Sequence, residues 1–235
     1  MKTQVEGFTA KNSLLALNVE LEFLQQQLLD LTNLLINQLH LAVQALNAAD
    51  KQLAAKVIAD NQQVEIYKLS IDDEVESLIA KFNPVAGYVC RIILYSRVAV
   101  ELKNIGDEIM GFAKLVKVLF DPNHSYPNLQ LLADIFTIAN RVDKMLVELK
   151  AVLVNQDQQQ VYGLLQMVSD CQPELQKGYK HQLSIAFQNV RMTTRLLNIM
   201  QILKSLESCG VHCRNIAELI VSTMEIGAAR TATVN

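Results

Sequence analysis

The chain has no tryptophan, only eight glycines and four prolines in 235 residues, and an aromatic content of 6%. So little glycine and proline excludes a collagen-like or low-complexity chain, and it also denies the frequent turns that a β-sandwich or barrel needs. Charge is scarce as well. Charged residues make up 19% and the formal net charge is −3, so the clustered excess of Lys and Arg that nucleic acid requires is missing. With 51% hydrophobic residues the chain can bury a core, which excludes disorder. The length allows one large domain or two small ones.

Cysteine is equally sparse. Cys90, Cys171, Cys209 and Cys213 form no Cys-x-x-Cys pair and no framework spacing, so reduced thiols in a cytoplasmic protein are expected. The opening MKTQVEGFTAKNS lacks an apolar core followed by a small-residue cleavage site, and no secretory signal is read there. The mean hydropathy is +0.18 and the stretch from Leu31 to Ala49 carries no formal charge. Thr32, Asn33, Asn37, Gln38, His40, Gln44 and Asn47 interrupt it, too many polar groups for hydrocarbon. A buried or bundled helix is predicted instead.

What the chain does contain is Leu, Ala, Gln, Glu and Lys in long uninterrupted segments, the composition of strong helix formers. From Ser13 to about Leu46, positions such as Leu14, Leu15, Leu17, Val19, Leu21, Leu24, Leu28, Leu31 and Leu35 recur mostly three and four residues apart, with Asn12 and Ser13 as cap candidates. A second helix is predicted from Asp50, with Leu53, Val57, Val64, Leu69, Ile71, Val75, Leu78 and Ile79 inward, ending near Asn83 and Pro84. A third runs from Pro84 to Phe120, and DPNHSYP at 121–127 reads as a loop. Asn128 to about Asn155, Asp157 to about Gln176 and Gly178 to about Ile226 supply a second set of three. Long helices joined by short connections lie antiparallel. The expected fold is all-α, two tandem antiparallel three-helix bundles, residues 1–120 and 121–235.

The two halves resemble each other. Gly106 and Gly210 lie 104 residues apart, and at that offset Val98 falls on Ile202, Leu102 on Leu206, Phe112 on Ile216, Ala113 on Ala217 and Val116 on Ile220. A mid-helix glycine costs roughly 1 kcal/mol relative to alanine. A close helix contact or a bound group needing room beside the backbone would explain it, and the close contact is the expected reason.

These residues carry a family resemblance. VELKNIGDEIMGFAK (Val100 to Lys114) and KSLESCGVHCRNIAELIVSTMEIG (Lys204 to Gly227) resemble the two copies of the L-E-R-I-G-D-H-x-x-N-I-A signature of the PhoU family. The stretch from Leu28 to Gly87 is similar to that family's first two helices and the start of its third. The resemblance implies two three-helix bundles side by side and no catalysis. It also implies a cytoplasmic negative regulator that links the ATPase subunit of a phosphate ABC transporter to a sensor histidine kinase, without a membrane span.

Family members can bind iron, manganese or other metals through an E-x-x-x-D in each signature and a D-x-x-x-D on the preceding helix, since residues four apart share a face and hard cations take several oxygens. Here the first signature reads Lys103 and Asp107 and the second Glu207 and Val211. The preceding acids appear as Asn61 and Glu65 in the first half and as Gln158 and Tyr162 in the second. The candidate metal ligands are therefore Asp107, Glu207, Glu65 and Glu101, a degenerate set. Asp60 and Asp157 stand one position early, and one position rotates a side chain by about 100°.

The remaining candidate residues have simpler readings. Cys209, His212 and Cys213 suit zinc in type, but both cysteines fall at core-facing signature positions and read as small buried hydrophobes. His40, His124 and His181 lack partners at ligand spacing. Asp72, Asp73, Glu74 and Glu76 read as a solvated face. No nucleotide or hydrolase motif is present. The leading expectation is a phosphate-uptake regulator, a homodimer because Ile36, Leu41 and Val43 lie off the main stripe of the first helix. The alternatives are an iron- or manganese-binding helical protein and an accessory of a low-affinity phosphate permease.

Overall fold

A computed structural model describes residues 2–120, 129–188 and 193–232, all but a few of them helical. Six helices follow in order: α1 Lys2–Ala48, α2 Lys51–Phe82, α3 Ala86–Leu119, α4 Leu129–Asn155, α5 Gln158–Gln188 and α6 Thr193–Ala232. The predicted loop at 121–127, with His124, lies outside the described residues.

Local chemistry sets the turns. Asp50 caps α2 by accepting hydrogen bonds from the backbone N–H of Gln52 and Leu53, satisfying donors that the first turn leaves without partners. Asp157 does the same for α5, accepting from the N–H of Gln160 at 3.0 Å. The preceding Ala49 and Gln156 both take positive φ, 54° and 49°, so the two hairpins are closed by the same device. Asn83 ends α2 in the left-handed conformation, where its N–H bonds the Ile79 carbonyl.

The long stripe of α1 is the spine of the first half. Leu17, Leu21, Leu24, Leu28, Leu31, Leu35, Leu39 and Leu46 are all buried, each contributing about 1.5–3 kcal/mol relative to exposure. α2 and α3 close around it, and α5 and α6 close likewise around α4. The repeat is visible in burial: the buried and exposed pattern of 31–46 recurs residue for residue at 131–146. α1 packs on α4 and α3 on α6, so one core runs through both halves while α2 and α5 lie outermost.

Several boundaries differ from those expected. α1 continues through Asn12 and Ser13 rather than starting there. α5 passes through Pro173 and Gly178 to Gln188, although a break near Gln176 was expected. Pro173 stands on the exposed face, whereas Leu175, Gly178 and Gln182 are buried. A Cβ on Gly178 would lie 3.3 Å from the Asp134 Cβ and 3.5 Å from the Leu203 Cδ1, so this glycine serves close packing rather than a turn. Leu69 and Ile79, expected inward on α2, are exposed, as are Leu14, Leu15 and Val19 on α1. Ile36, Leu41 and Val43 pack against the core, and Val43 lines the α1/α4 seam. The second apolar stripe of α1 is thereby accounted for within one chain.

Candidate functional site

The signature segment of α3 sits where α3 presses on α2. A Cβ on Gly106 would meet the Val64 Cγ1 at 2.9 Å, the Asn61 Oδ1 at 3.0 Å and the Leu35 Cδ2 at 3.2 Å. The glycine lets the two backbones approach, and the approach brings four polar side chains together at the surface. Asn61 donates through its Nδ2 to the Asp107 Oδ1 at 3.1 Å. Lys103 Nζ donates to the Asp107 Oδ2 at 2.7 Å and lies 3.9 Å from the Glu65 Oε2. The hydrogen bond to Asp107 raises the Lys103 pKa further above its ordinary value, against the opposing effect of partial burial. The Asn61 Oδ1 is shielded from solvent and accepts no hydrogen bond among the described residues.

The second signature is built differently. Gly210 has room: a Cβ there would lie 3.6 Å from the Met145 Sδ and 3.9 Å from the Val168 Cγ1. Glu207 accepts from the Tyr179 hydroxyl at 3.1 Å and from Lys204 Nζ at 3.0 Å. Burial first, and the Glu207 charge second, push the Tyr179 hydroxyl well above the usual tyrosine pKa. α5 meets Gly210 at Val168, so Gln158 and Tyr162 stand two to three turns away and are not the counterparts of Asn61 and Glu65.

Glu101 belongs to neither cluster. Its Oε2 pairs with the His212 Nδ1 at 2.7 Å and accepts from the Asn215 Nδ2 at 3.0 Å, bridging α3 to α6. Of the four candidate ligands, the fold therefore brings only Glu65 and Asp107 to one place, and Glu207 and Glu101 each serve other bonds. A resident metal does not fit this donor set, because the Lys103 ammonium already occupies the space between the two carboxylates that converge. Among the described residues no three His, Cys, Asp or Glu side chains converge to hold an ion. Cys209 and Cys213 are buried, and burial pushes the Cys209 thiol up and the Cys213 thiol to about 12.

Local spacing could not reveal the histidine partners. His40 bonds Asp143 at 2.6 Å from α1 to α4, and His181 bonds Asp134 at 2.6 Å from α5 to α4. Both carboxylates come from a different helix of the fold. The α1/α4 seam around His40 opens a cavity of about 490 Å³ floored by Leu39, Val43, Phe136 and Ala139. Among the described residues no helix is long and apolar enough to cross a membrane.

The comparisons with known proteins agree with this fold. The PhoU domain matches residues 28–116. The phosphate-specific transport system accessory protein PhoU homolog of Pseudomonas aeruginosa is 29% identical over 204 residues, 87% of this chain and 83% of that one. PhoU of Escherichia coli is 23% identical over 203 residues, 86% of this chain and 83% of that one. The crystal structure of PhoU from Pseudomonas aeruginosa superimposes with a TM-score of 0.82 at 29% identity, covering 88% of this chain and 98% of that one. For the fold alone, the phosphate transport system regulatory protein PhoU from Streptococcus pneumoniae gives a TM-score of 0.79 at 18% identity, covering 88% and 96%. The chain thus carries a PhoU domain match over residues 28–116, and it is similar to PhoU proteins in sequence along most of its length and in fold throughout the aligned part.

Proposed function

We propose that this protein regulates phosphate uptake and phosphate-starvation signalling from the cytoplasm, as a non-catalytic adaptor between the ATPase subunit of a phosphate ABC transporter and a sensor histidine kinase. The observation that carries the reading is the match in both sequence and fold to the Pseudomonas aeruginosa protein over nearly nine-tenths of this chain. An adaptor needs contact surfaces, and several helices offer outward apolar side chains, including Val147 and Val154 on α4 and Phe187 on α5.

Homodimerisation is part of the proposal. Its support moves from the covered side of α1 to the exposed stripe Leu15, Val19 and Phe23, which are 66%, 58% and 52% accessible at four-residue spacing. Light scattering on the wild type and on Val19→Glu tests it: the wild type forms a dimer and the variant shifts to monomer.

The regulatory reading is tested by deleting the gene and measuring a phosphate-starvation reporter in high phosphate. Constitutive expression, reversed by the wild-type gene, is the expected result. An unchanged reporter abandons the negative-regulator reading, and the low-affinity permease accessory then takes its place.

A further inference from the structure

Three features stand out beyond the surfaces above: the α1/α4 seam, the acidic outer face of α2, and the lysine seated between two carboxylates at the signature. The third carries an inference, because its geometry is defined on every side.

We propose that the Lys103 ammonium is a built-in cation that fills the oxygen-lined space between α2 and α3, so that the first signature works without a divalent metal and does not respond to metal supply or chelation. Two carboxylates converge on this point, Asp107 at 2.7 Å from the ammonium and Glu65 at 3.9 Å, and Asn61 donates its Nδ2 to Asp107. Two carboxylates on facing helices repel each other unless a positive charge lies between them. In many proteins that charge is a hard cation drawn from solution, whose occupancy varies with concentration. Here it is covalently attached and always present. Lys103 sits four residues before Asp107 on the same helix face, so its four-carbon stem delivers the charge without distorting α3.

The repeat supplies an internal contrast. The residue equivalent to Lys103 is Glu207, 104 positions on, and its charge is met by Lys204 and Tyr179. In both halves the anion is therefore answered by a side chain of this protein, through different residues. Asn61 turns its Nδ2 to Asp107 while its Oδ1 is buried beside Gly106 without a hydrogen bond, so the two carboxylates are the oxygens that face the lysine. Taking the ammonium away leaves Glu65 and Asp107 facing one another, and a glutamate at position 103 adds a further carboxylate.

The inference does not rest on the phosphate reading, and it is tested with purified full-length protein and Mn²⁺ as the probe. Calorimetric titration of the wild type shows no Mn²⁺ site in the micromolar range, and a chelator leaves its melting temperature unchanged. Lys103→Glu gains Mn²⁺ affinity by at least about a hundredfold, as expected when a hard-cation site acquires another carboxylate. Lys103→Gln gains less, and adding Asp107→Asn to Lys103→Glu removes the gain. The glutamine variant carries no added negative charge, so it keeps the test informative if three clustered carboxylates destabilise the glutamate one. Micromolar Mn²⁺ binding by the wild type that Asp107→Asn abolishes overturns the proposal, because the metal then displaces the lysine. So does the absence of any gain in both folded variants.

Discussion

Ile105 and Cys209 occupy equivalent positions in the two repeats, and they meet each other: the Cys209 Sγ lies 4.0 Å from the Ile105 carbonyl oxygen. Two copies of a repeat touch at the same position only beside the local twofold that relates them, so that axis passes through the α3/α6 seam at this point. The antiparallel crossing it imposes places Glu101 against His212, the one histidine–carboxylate pair across this seam among the described residues. The pair equivalent to it, Glu108 and Ser205, cannot form the same charged bond, so the seam is symmetric in backbone and asymmetric in charge.

That asymmetry is measurable. Glu101 and His212 are each about one-fifth exposed, and a charge-assisted bond in such a setting contributes about 1–3 kcal/mol. A double-mutant cycle of Glu101→Ala and His212→Ala, read by urea denaturation, is expected to give a coupling of that order. Additive single effects would show that Asn215 alone satisfies Glu101.

The two signature glycines are expected to behave oppositely on substitution. Gly106→Ala forces a methyl to 2.9 Å from the Val64 Cγ1, an overpacking that costs about 1–3 kcal/mol. Gly210→Ala meets nothing closer than 3.6 Å and recovers helix propensity, stabilising by up to about 1 kcal/mol. Thermal melts of both variants decide it, and equal shifts would contradict the packing difference.

Thiol chemistry follows from burial. The Cys213 thiol is pushed up to about 12, that of Cys171 to about 11, and Cys209 well above its ordinary value, in each case chiefly by burial. Only the thiolate attacks a disulfide reagent, and its fraction falls tenfold per pH unit below the pKa. At pH 8 these three are expected to react at least about a hundredfold more slowly in the folded protein than in urea. Fast modification of Cys209 in native protein would show that the α3/α6 seam opens readily.

Acid stability depends on the Arg141–Glu174 pair between α4 and α5. The bidentate Arg141 bond holds the Glu174 carboxyl below the usual carboxylate range. A depressed carboxyl stabilises the fold above the ordinary glutamate pKa of about 4.3 and loses that contribution as pH falls through the lower, folded value. Arg141→Met is therefore expected to be less stable than the wild type at neutral pH, with the gap closing below about pH 4. A gap that stays constant down to pH 3 would mean the loss is one of packing.

Much of this protein was legible in its sequence. Strong helix formers, three-and-four spacing and the scarcity of glycine and proline determined six long helices. The starts read at Asp50 and Asp157 fall within one residue of the observed helices, and the offset between Gly106 and Gly210 announced the repeat. Cys209 and Cys213 read as core because they stand at core-facing positions of the signature. These are local properties, governed by residues within a few turns.

The tertiary structure decided what local spacing cannot express. Pro173 and Gly178 look like a helix end, yet α5 runs through both, because proline is tolerated on its exposed face and the small residue buys close contact with Asp134 and Leu203. The outward direction of Leu69 and Ile79, the cover that α4 gives to Val43, and the partners of His40, His181 and His212 all depend on which helix lies opposite. The same holds at the signature. The sequence shows a lysine where an acid was expected, but only the packing of α3 on α2 at Gly106 turns that substitution into an ammonium held between Glu65 and Asp107, since opposite charges on separate helices act on each other only when the fold brings them within a few ångströms.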